Sequence, residues 1–359
     1  MNNLDFFYQQ PSPYSLGAAE KQQVLHSHLA ALDAHHQQHC ELYRRIASSQ
    51  TAAGWFDQQV FLPVRLFKEY ELKSVAQQDV FKVLTSSGTT SQQVSRIALD
   101  RETAAHQSKV LVKIMQHYLG VQRLPMLIID HPSVVKDRLS FSARGAGILG
   151  LSTFGRDHTY ALDDDMQINL ERVQAFIAKH QGKPVFIFGF TFMVWQYFFQ
   201  VLQQSGQQLD LAGSVLVHSG GWKKLIDIAV DNSVFKQVAF ATCGIQRVHN
   251  FYGMVEQVGS IFVECSHGYL HAPDYADIDI VDARTMQKLP DGQQGLIAVS
   301  SVLPSSYPGH RLLTEDLGTV FGEDNCPCGL NGKYFHVHGR LPKAEVRGCS
   351  DTHAAEVKP

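Results

Sequence analysis

The sequence predicts an α/β protein with a mainly parallel sheet and a small β-rich C-terminal part. Three observations point that way. Short apolar runs recur along the chain, separated by helix-sized gaps. Several of those gaps carry the apolar spacing of a half-buried helix, which makes a strand–helix succession. From Ile278 onward the texture changes to short strands and turns, with Asp291-Gly292 as a hairpin signal.

Taken in order, Ala18 to Ser48 has a helical pattern rich in His and Gln, and Val80 to Leu84 reads as a short strand. Glu102 to Tyr118 is a second helix, and Pro125 to Asp130 a buried strand ending in an acid. Leu170 to His180 is an amphipathic helix leading into a strand and turn at Pro184 to Gly189, followed by a helix from Phe192 to Gln204. Gly213 to Gly221 is another strand, ending in a glycine turn. The apolar stretch from Val185 to Leu202 approaches the length of a membrane span, but Gly189, Thr191, Gln196 and Gln200 interrupt it, so a buried strand and helix are expected. In such sheets ligands bind beyond the carboxyl ends of the strands. The loop after Val80–Leu84, the Gly189 turn and the Gly220-Gly221 turn all sit at such ends.

With 359 residues, 44% of them hydrophobic and 18% charged, the chain can bury a substantial core and is not expected to be disordered. A net charge of −3 and the absence of a basic cluster argue against nucleic acid and against a membrane surface as partners. The N-terminus lacks the positive region of a signal peptide. Six cysteines are too few for a disulfide scaffold at this length, and their spacing favours metal or thiol chemistry in a reducing cytoplasm.

The most informative stretch is Thr85-Ser86-Ser87-Gly88-Thr89-Thr90. Hydroxyls so dense cannot serve as core, because each would need a hydrogen-bond partner. They suit a loop that wraps phosphates with backbone N–H groups and hydroxyls, although a plain turn is the bland alternative. The loop is not a Walker P-loop, since the Gly-Lys-Ser/Thr ending is missing. Four later stretches follow it: His218-Ser219-Gly220-Gly221-Trp222-Lys223, Asn250 to Glu256 with Tyr252 and Gly253, Leu313-Thr314-Glu315-Asp316-Leu317-Gly318, and Gly339-Arg340-Leu341-Pro342-Lys343.

In this order the set resembles the adenylate-forming superfamily, whose members use ATP to convert a carboxylate to an acyl adenylate. The resemblance runs from about Lys82 to Arg340. It implies the N-terminal-domain fold of those enzymes and assigns roles. Ser86, Ser87, Gly88, Thr89 and Thr90 would hold the ATP phosphates, and Gly220 and Gly221 would form a ledge beside adenine. Tyr252, followed by Gly253, would stack on adenine. Glu256 would help hold Mg²⁺ or the phosphates, and Asp316 would accept from the ribose hydroxyls. Taken singly, a core tyrosine, a capping glutamate and a turn aspartate remain open. Two departures stand out: Ser91-Gln92-Gln93 occupies the place of a Gly and a Lys, with Arg96 the first cation, and Val255 stands where a Thr is usual.

Within the superfamily the chain is similar to the acyl-protein synthetases of bacterial bioluminescence, the LuxE type. The matching pieces are Thr85–Thr90, Ser95 to Arg101, Gly220-Gly221-Trp222-Lys223, Ser306-Tyr307-Pro308 and Arg347-Gly348-Cys349. This likeness implies activation of a fatty acid, transfer of the acyl group to a cysteine near the C-terminus, and a partner acyl reductase. It divides the chain into a catalytic domain, 1–340, and a short tail, 341–359, with Arg340 at the usual hinge position. Only 19 residues follow Arg340, too few for a separate lid, and no lid lysine can be placed. Cys349 would carry the acyl group, with Lys343 and Arg347 favouring its thiolate. A bystander surface cysteine is the alternative.

Cys265, His271, Cys326 and Cys328 form a further set, which the bioluminescence enzymes are not expected to carry. Three thiolates and an imidazole suit a closed tetrahedral Zn²⁺ site, and Cys326-Pro327-Cys328-Gly329 has the tight turn of a zinc knuckle. It resembles the structural zinc site of some phenylacetate–CoA ligase relatives. His267, His336 and His338 are competing ligands. Two other readings of the chain stay open: an acyl- or aryl-CoA ligase with coenzyme A as acceptor, and a nucleotide-binding partner of a larger reductase.

Overall fold

The structure is a computed structural model and describes residues 4–49, 59–86, 94–135, 143–222 and 229–341. These fall into two compact units. One is drawn from 4–86, 94–117 and 252–341, the other from 118–251.

The second unit holds the parallel sheet. Its strands lie in the order Gly155–Tyr160, Leu124–Ile128, Phe186–Phe190, Val215–Ser219 and Arg247–Tyr252, with every pairing parallel. The second strand in sequence lies outside the first and the third lies on its other side, so the connections diverge at Leu124–Ile128, which marks the switch point of a doubly wound sheet. The three central strands, Leu124–Ile128, Phe186–Phe190 and Val215–Ser219, are buried on both faces and read as largely apolar runs for that reason. Helix ends follow local chemistry. Asn169 and Asp231 accept from the N–H of Arg172 and Val234, and Gly206 and Gly244 close helices in the left-handed conformation.

One expectation for this unit changes. Gly189 is not a turn but the penultimate residue of the strand Phe186–Phe190, and a helix starts directly at Thr191. A Cβ on Gly189 would lie 2.7 Å from Val194 and 2.9 Å from Ile129, so glycine here answers close packing of helix on strand. The helical run continues from Thr191 to Ser205 through a π-turn at Trp195–Phe199. Its apolar character reflects burial on the sheet. No helix among the described residues is long and apolar enough to cross a membrane.

The first unit holds an antiparallel sheet. Ala276–Val281, Gly295–Ser301, Arg311–Glu323, Lys333–Arg340, Leu270–His271 and Phe262–Glu264 pair in that order, and Leu62–Pro63 joins Arg311–Glu323 in parallel. A separate hairpin pairs Lys82–Thr85 with Arg96–Leu99. The core of this unit includes Tyr43, Leu62, Phe67, Ile97, Leu99, Phe262, Ile297, Tyr307, Leu312 and Phe335. Asp291-Gly292 does not form a two-residue hairpin. It lies in the longer connection from Val281 to Gly295, where Gly292 has φ +83° and donates to the Val320 carbonyl. The long N-terminal helix runs from Ala18 to His39, breaks at the extended Cys40 and resumes as Glu41–Ser49. Its buried stripe, Lys21, Leu25, Leu29, Leu32 and His36, has helical spacing and includes two polar residues. His36 bonds Ser74 Oγ at 2.8 Å and the Pro304 carbonyl at 3.0 Å, and burial keeps its imidazole neutral.

At the switch point of the parallel sheet, Asp130 and Arg144 form an ion pair at 3.1 Å, each 1% exposed. Arg144 also reaches His131 Nε2 at 3.3 Å and the Met193 sulfur at 3.6 Å. Burial pushes Asp130 up to about 6, with the Arg144 charge and the His131 N–H opposing. Removing one member strands the other in low dielectric, so Arg144→Met is expected to cost about 3–5 kcal/mol in urea unfolding. The double change Asp130→Leu with Arg144→Met should recover most of that loss. A single variant as stable as wild type would contradict the assignment.

Candidate active site

Antiparallel pairing of Arg311–Glu323 with Lys333–Arg340 sets Asp316 opposite Arg340. The Thr314 hydroxyl donates to the Ile297 carbonyl at 2.8 Å and accepts from the Asp316 N–H at 3.2 Å, fixing the local backbone. Tyr252, which ends the strand Arg247–Tyr252, donates its hydroxyl to Asp316 Oδ2 at 2.7 Å. Arg340 Nε lies 3.7 Å from Asp316 Oδ1. Burial pushes the Asp316 carboxyl up, while the Tyr252 hydroxyl and the Arg340 charge favour its ionised form. The same carboxylate, together with burial, keeps Tyr252 protonated and therefore a donor. The Tyr252 ring is tilted against Phe262 and meets Phe335 edge-on. Gly253 follows; a Cβ there would meet Ile261 at 3.0 Å.

Glu256 sits in the single 3₁₀ turn Val255–Gln257 and is buried. Burial pushes its carboxyl up, opposed by the charges of Lys68 and Arg340. Arg340 thus acts on both carboxylates. Ser86 closes the root of the hydroxyl-rich loop: its N–H donates to the Ser95 carbonyl at 3.1 Å, and its Oγ accepts from the Ser95 N–H at 2.9 Å. Ser87, Gly88, Thr89 and Thr90 lie outside the described residues, as do Lys343, Arg347 and Cys349.

In the second unit, Gly220 follows Val215–Ser219 with φ +86°, and a Cβ would lie 3.0 Å from the Phe190 ring. Both facts demand glycine there. Gly221 faces open space. The strand end is held by the Ser219 hydroxyl donating to the Phe251 carbonyl at 3.0 Å.

The four-residue metal set is brought together. One ligand atom from each of Cys265, His271, Cys326 and Cys328 lies within 4.8 Å of the others. Cys265 and Cys326 sulfurs are 4.0 Å apart, and Cys328 Sγ is 3.3 Å from His271 Nε2. The His267 N–H donates to Cys265 Sγ and the Leu330 N–H to Cys328 Sγ, each at 3.4 Å. Burial pushes the Cys265 thiol up and Cys328 up to about 12, and brings His271 down to about 4. Buried sulfurs that accept backbone N–H bonds fit a cation that displaces their protons. The competing histidines are used elsewhere or point away. His336 bonds the Gly268 carbonyl, His338 bonds Thr319, and His267 is exposed beside Ser266.

Sequence reasoning did not see that Tyr252 donates to Asp316, nor that the Lys68 charge acts on Glu256. No local pattern signals these contacts, which join residues far apart in the chain. Ser306-Tyr307-Pro308 was visible as a motif but carried no role. Of the other described cysteines, Cys40 and Cys243 are buried, and burial pushes the Cys243 thiol up to about 12.

The fold is that of the adenylate-forming ligases. A 2-hydroxyisobutyryl-CoA ligase, in an open conformation in complex with 2-HIB-AMP and CoA, superposes with a TM-score of 0.71 at 16% identity, covering 96% of this chain and 80% of that one. The same ligase in the thioesterification state gives 0.69 at 17% identity, covering 96% and 73%. A sequence profile of the LuxE acyl-protein synthetases matches residues 2–357, and the chain belongs to that family. Its activity class is therefore acyl-protein synthetase. The chain is 22% identical over 307 residues to a long-chain-fatty-acid–luciferin-component ligase of Aliivibrio fischeri, covering 82% of this chain and 77% of that protein. It is 23% identical over 176 residues to a ligase of the same name from Vibrio harveyi, covering 48% and 45%.

Proposed function

We propose that this enzyme activates a long-chain fatty acid with ATP and passes the acyl group to its own Cys349, from which an acyl reductase partner takes it. A carboxylate oxygen of the acid attacks the α-phosphorus of ATP, and pyrophosphate leaves. The Cys349 thiolate then attacks the acyl carbon, the bond to AMP breaks, and a thioester remains. The observation that carries the reading is Asp316, held between the Tyr252 hydroxyl and the Arg340 guanidinium. A carboxylate so oriented, its ionised form supported by a hydroxyl and a cation, is an acceptor for a sugar diol.

The remaining roles follow the same reading. Ser86 to Thr90 hold the phosphates, Gly220 and Gly221 flank adenine, and the Tyr252 ring supports it. Glu256 fits Mg²⁺, because a carboxyl pushed up by burial gains from a nearby divalent charge. When bound, Mg²⁺ neutralises phosphate charge. Arg340 is the cation beside Asp316, and its charge also favours ionised Glu256. Cys349 is favoured as acceptor by the burial of Cys40 and Cys243 and the engagement of the other three described cysteines in one cluster.

The test is carboxylate-dependent exchange of labelled pyrophosphate into ATP across a panel of acids, with long-chain acids expected to be best. In that assay Asp316→Ala should weaken ATP use by about 1–3 kcal/mol, a loss of roughly fivefold or more. Cys349→Ser should keep exchange and lose hydroxylamine-sensitive self-acylation. Self-acylation by the serine variant would reject Cys349, and product formed only with added coenzyme A would replace protein by coenzyme A as the acceptor.

Cys265, His271, Cys326 and Cys328 are proposed to hold a structural Zn²⁺ that ties the Phe262–His271 region to the turn at Cys326–Gly329. The purified protein should contain about one zinc per chain. Cys328→Ser should lose it and lower the melting temperature. A metal-free wild type that is folded and active would overturn this assignment.

A further inference from the structure

The Ser306-Tyr307-Pro308 stretch joins two parts of the first unit. The Ser306 hydroxyl donates to the Ala98 carbonyl at 2.9 Å, and the Ser306 N–H donates to Thr103 Oγ1 at 3.2 Å. Ala98 lies in Arg96–Leu99, the strand that pairs with Lys82–Thr85 and leads back to the root of the hydroxyl-rich loop at Ser86 and Ser95. One residue on, the Tyr307 hydroxyl donates to the Glu256 carbonyl at 2.9 Å and accepts from Gln107 Nε2 at 3.4 Å. Ser306 and Tyr307 are fully buried.

The Glu256 turn needs such support. It is three residues long and its N-terminus has no side-chain cap, so little within it fixes the direction of the Glu256 side chain. The neighbouring Gln257 reinforces the same attachment, donating to the Gly309 carbonyl at 2.8 Å. Gly309 lets this loop come close: a Cβ there would lie 2.3 Å from the Tyr307 ring and 2.7 Å from the Glu256 carbonyl oxygen. The turn that carries Glu256 and the strand that roots the loop are thus tethered through adjacent residues of one segment.

We infer that Ser306 and Tyr307 are positioning residues, which hold Glu256 in register with the root of the phosphate loop so that both meet the Mg²⁺–phosphate end of ATP. The inference rests on the role proposed above for Glu256. Tyr307 touches no reacting atom; it acts through the backbone of Glu256.

The test uses the full-length enzyme with Tyr307→Phe, Ser306→Ala and, alongside, Glu256→Gln. Tyr307→Phe keeps the ring, which meets Phe67 edge-on, and removes only the hydroxyl. The KM for Mg-ATP should rise by several-fold to about tenfold, and the Mg²⁺ concentration for half-maximal exchange should rise with it. The KM for the acid should stay unchanged. Acyl transfer from synthetic acyl-AMP should also stay at the wild-type rate, because that step contains no β- or γ-phosphate. Ser306→Ala should show the same split, which keeps the inference testable should the phenylalanine variant not fold. Equal loss in both half-reactions would mark the segment as structural scaffolding and overturn the inference. If Glu256→Gln raises the KM for Mg-ATP while the other two variants do not, the positioning inference fails and the Glu256 role stands. An unaltered Glu256→Gln enzyme would remove the Glu256 role and the inference together.

Discussion

Two partly or wholly desolvated carboxylates, Asp316 and Glu256, set the terms for the first unit. Burial pushes both carboxyls up, so each ionised form must be supported by its surroundings. Asp316 is supported by the hydroxyl of Tyr252 and by Arg340, and Glu256 by the charges of Lys68 and Arg340. Arg340 is common to both, and its place is a consequence of strand register opposite Asp316. A two-residue slip in that register would move the shared cation away from the carboxylate while leaving the apolar alternation of the strands intact. The bulges along this pair, at Leu317–Gly318 and Val320–Gly322, mark where the regular pleat is adjusted.

The cysteine cluster fits the same view of the antiparallel sheet. Leu270–His271 is only two residues long, too short to be stable by its ladder alone, yet it lies between Phe262–Glu264 and Lys333–Arg340. His271, in this short strand, meets Cys265 and the Cys326–Cys328 turn in one cluster. A bound cation would make up for the few hydrogen bonds available there.

Much of this was legible in the sequence because it is carried by local pattern. Apolar runs such as Pro125–Ile129 and Val215–Val217 mark buried parallel strands, and the Cys-x-Cys turn marks its own geometry. Gly189 misled because a glycine at the end of an apolar run signals a turn, whereas here it answers contacts with Val194 and Ile129 that only packing reveals. The break at Cys40 escaped because helical spacing continues on both sides of it. The buried pair of Asp130 and Arg144 and the contacts of Tyr307 were invisible for a common reason: their partners are distant in sequence, and nothing in a lone Asp, Arg or Tyr announces which long-range neighbour it will meet.

The central claim is that the acid is activated by forming a bond to the α-phosphorus of ATP. Oxygen-18 transfer tests it most directly. With a fatty acid labelled in both carboxylate oxygens, a single turnover should yield AMP carrying one labelled oxygen and unlabelled pyrophosphate, while the acyl group leaves on the protein with the other. Labelled inorganic phosphate formed together with ADP would place the attack on the γ-phosphorus and contradict the account.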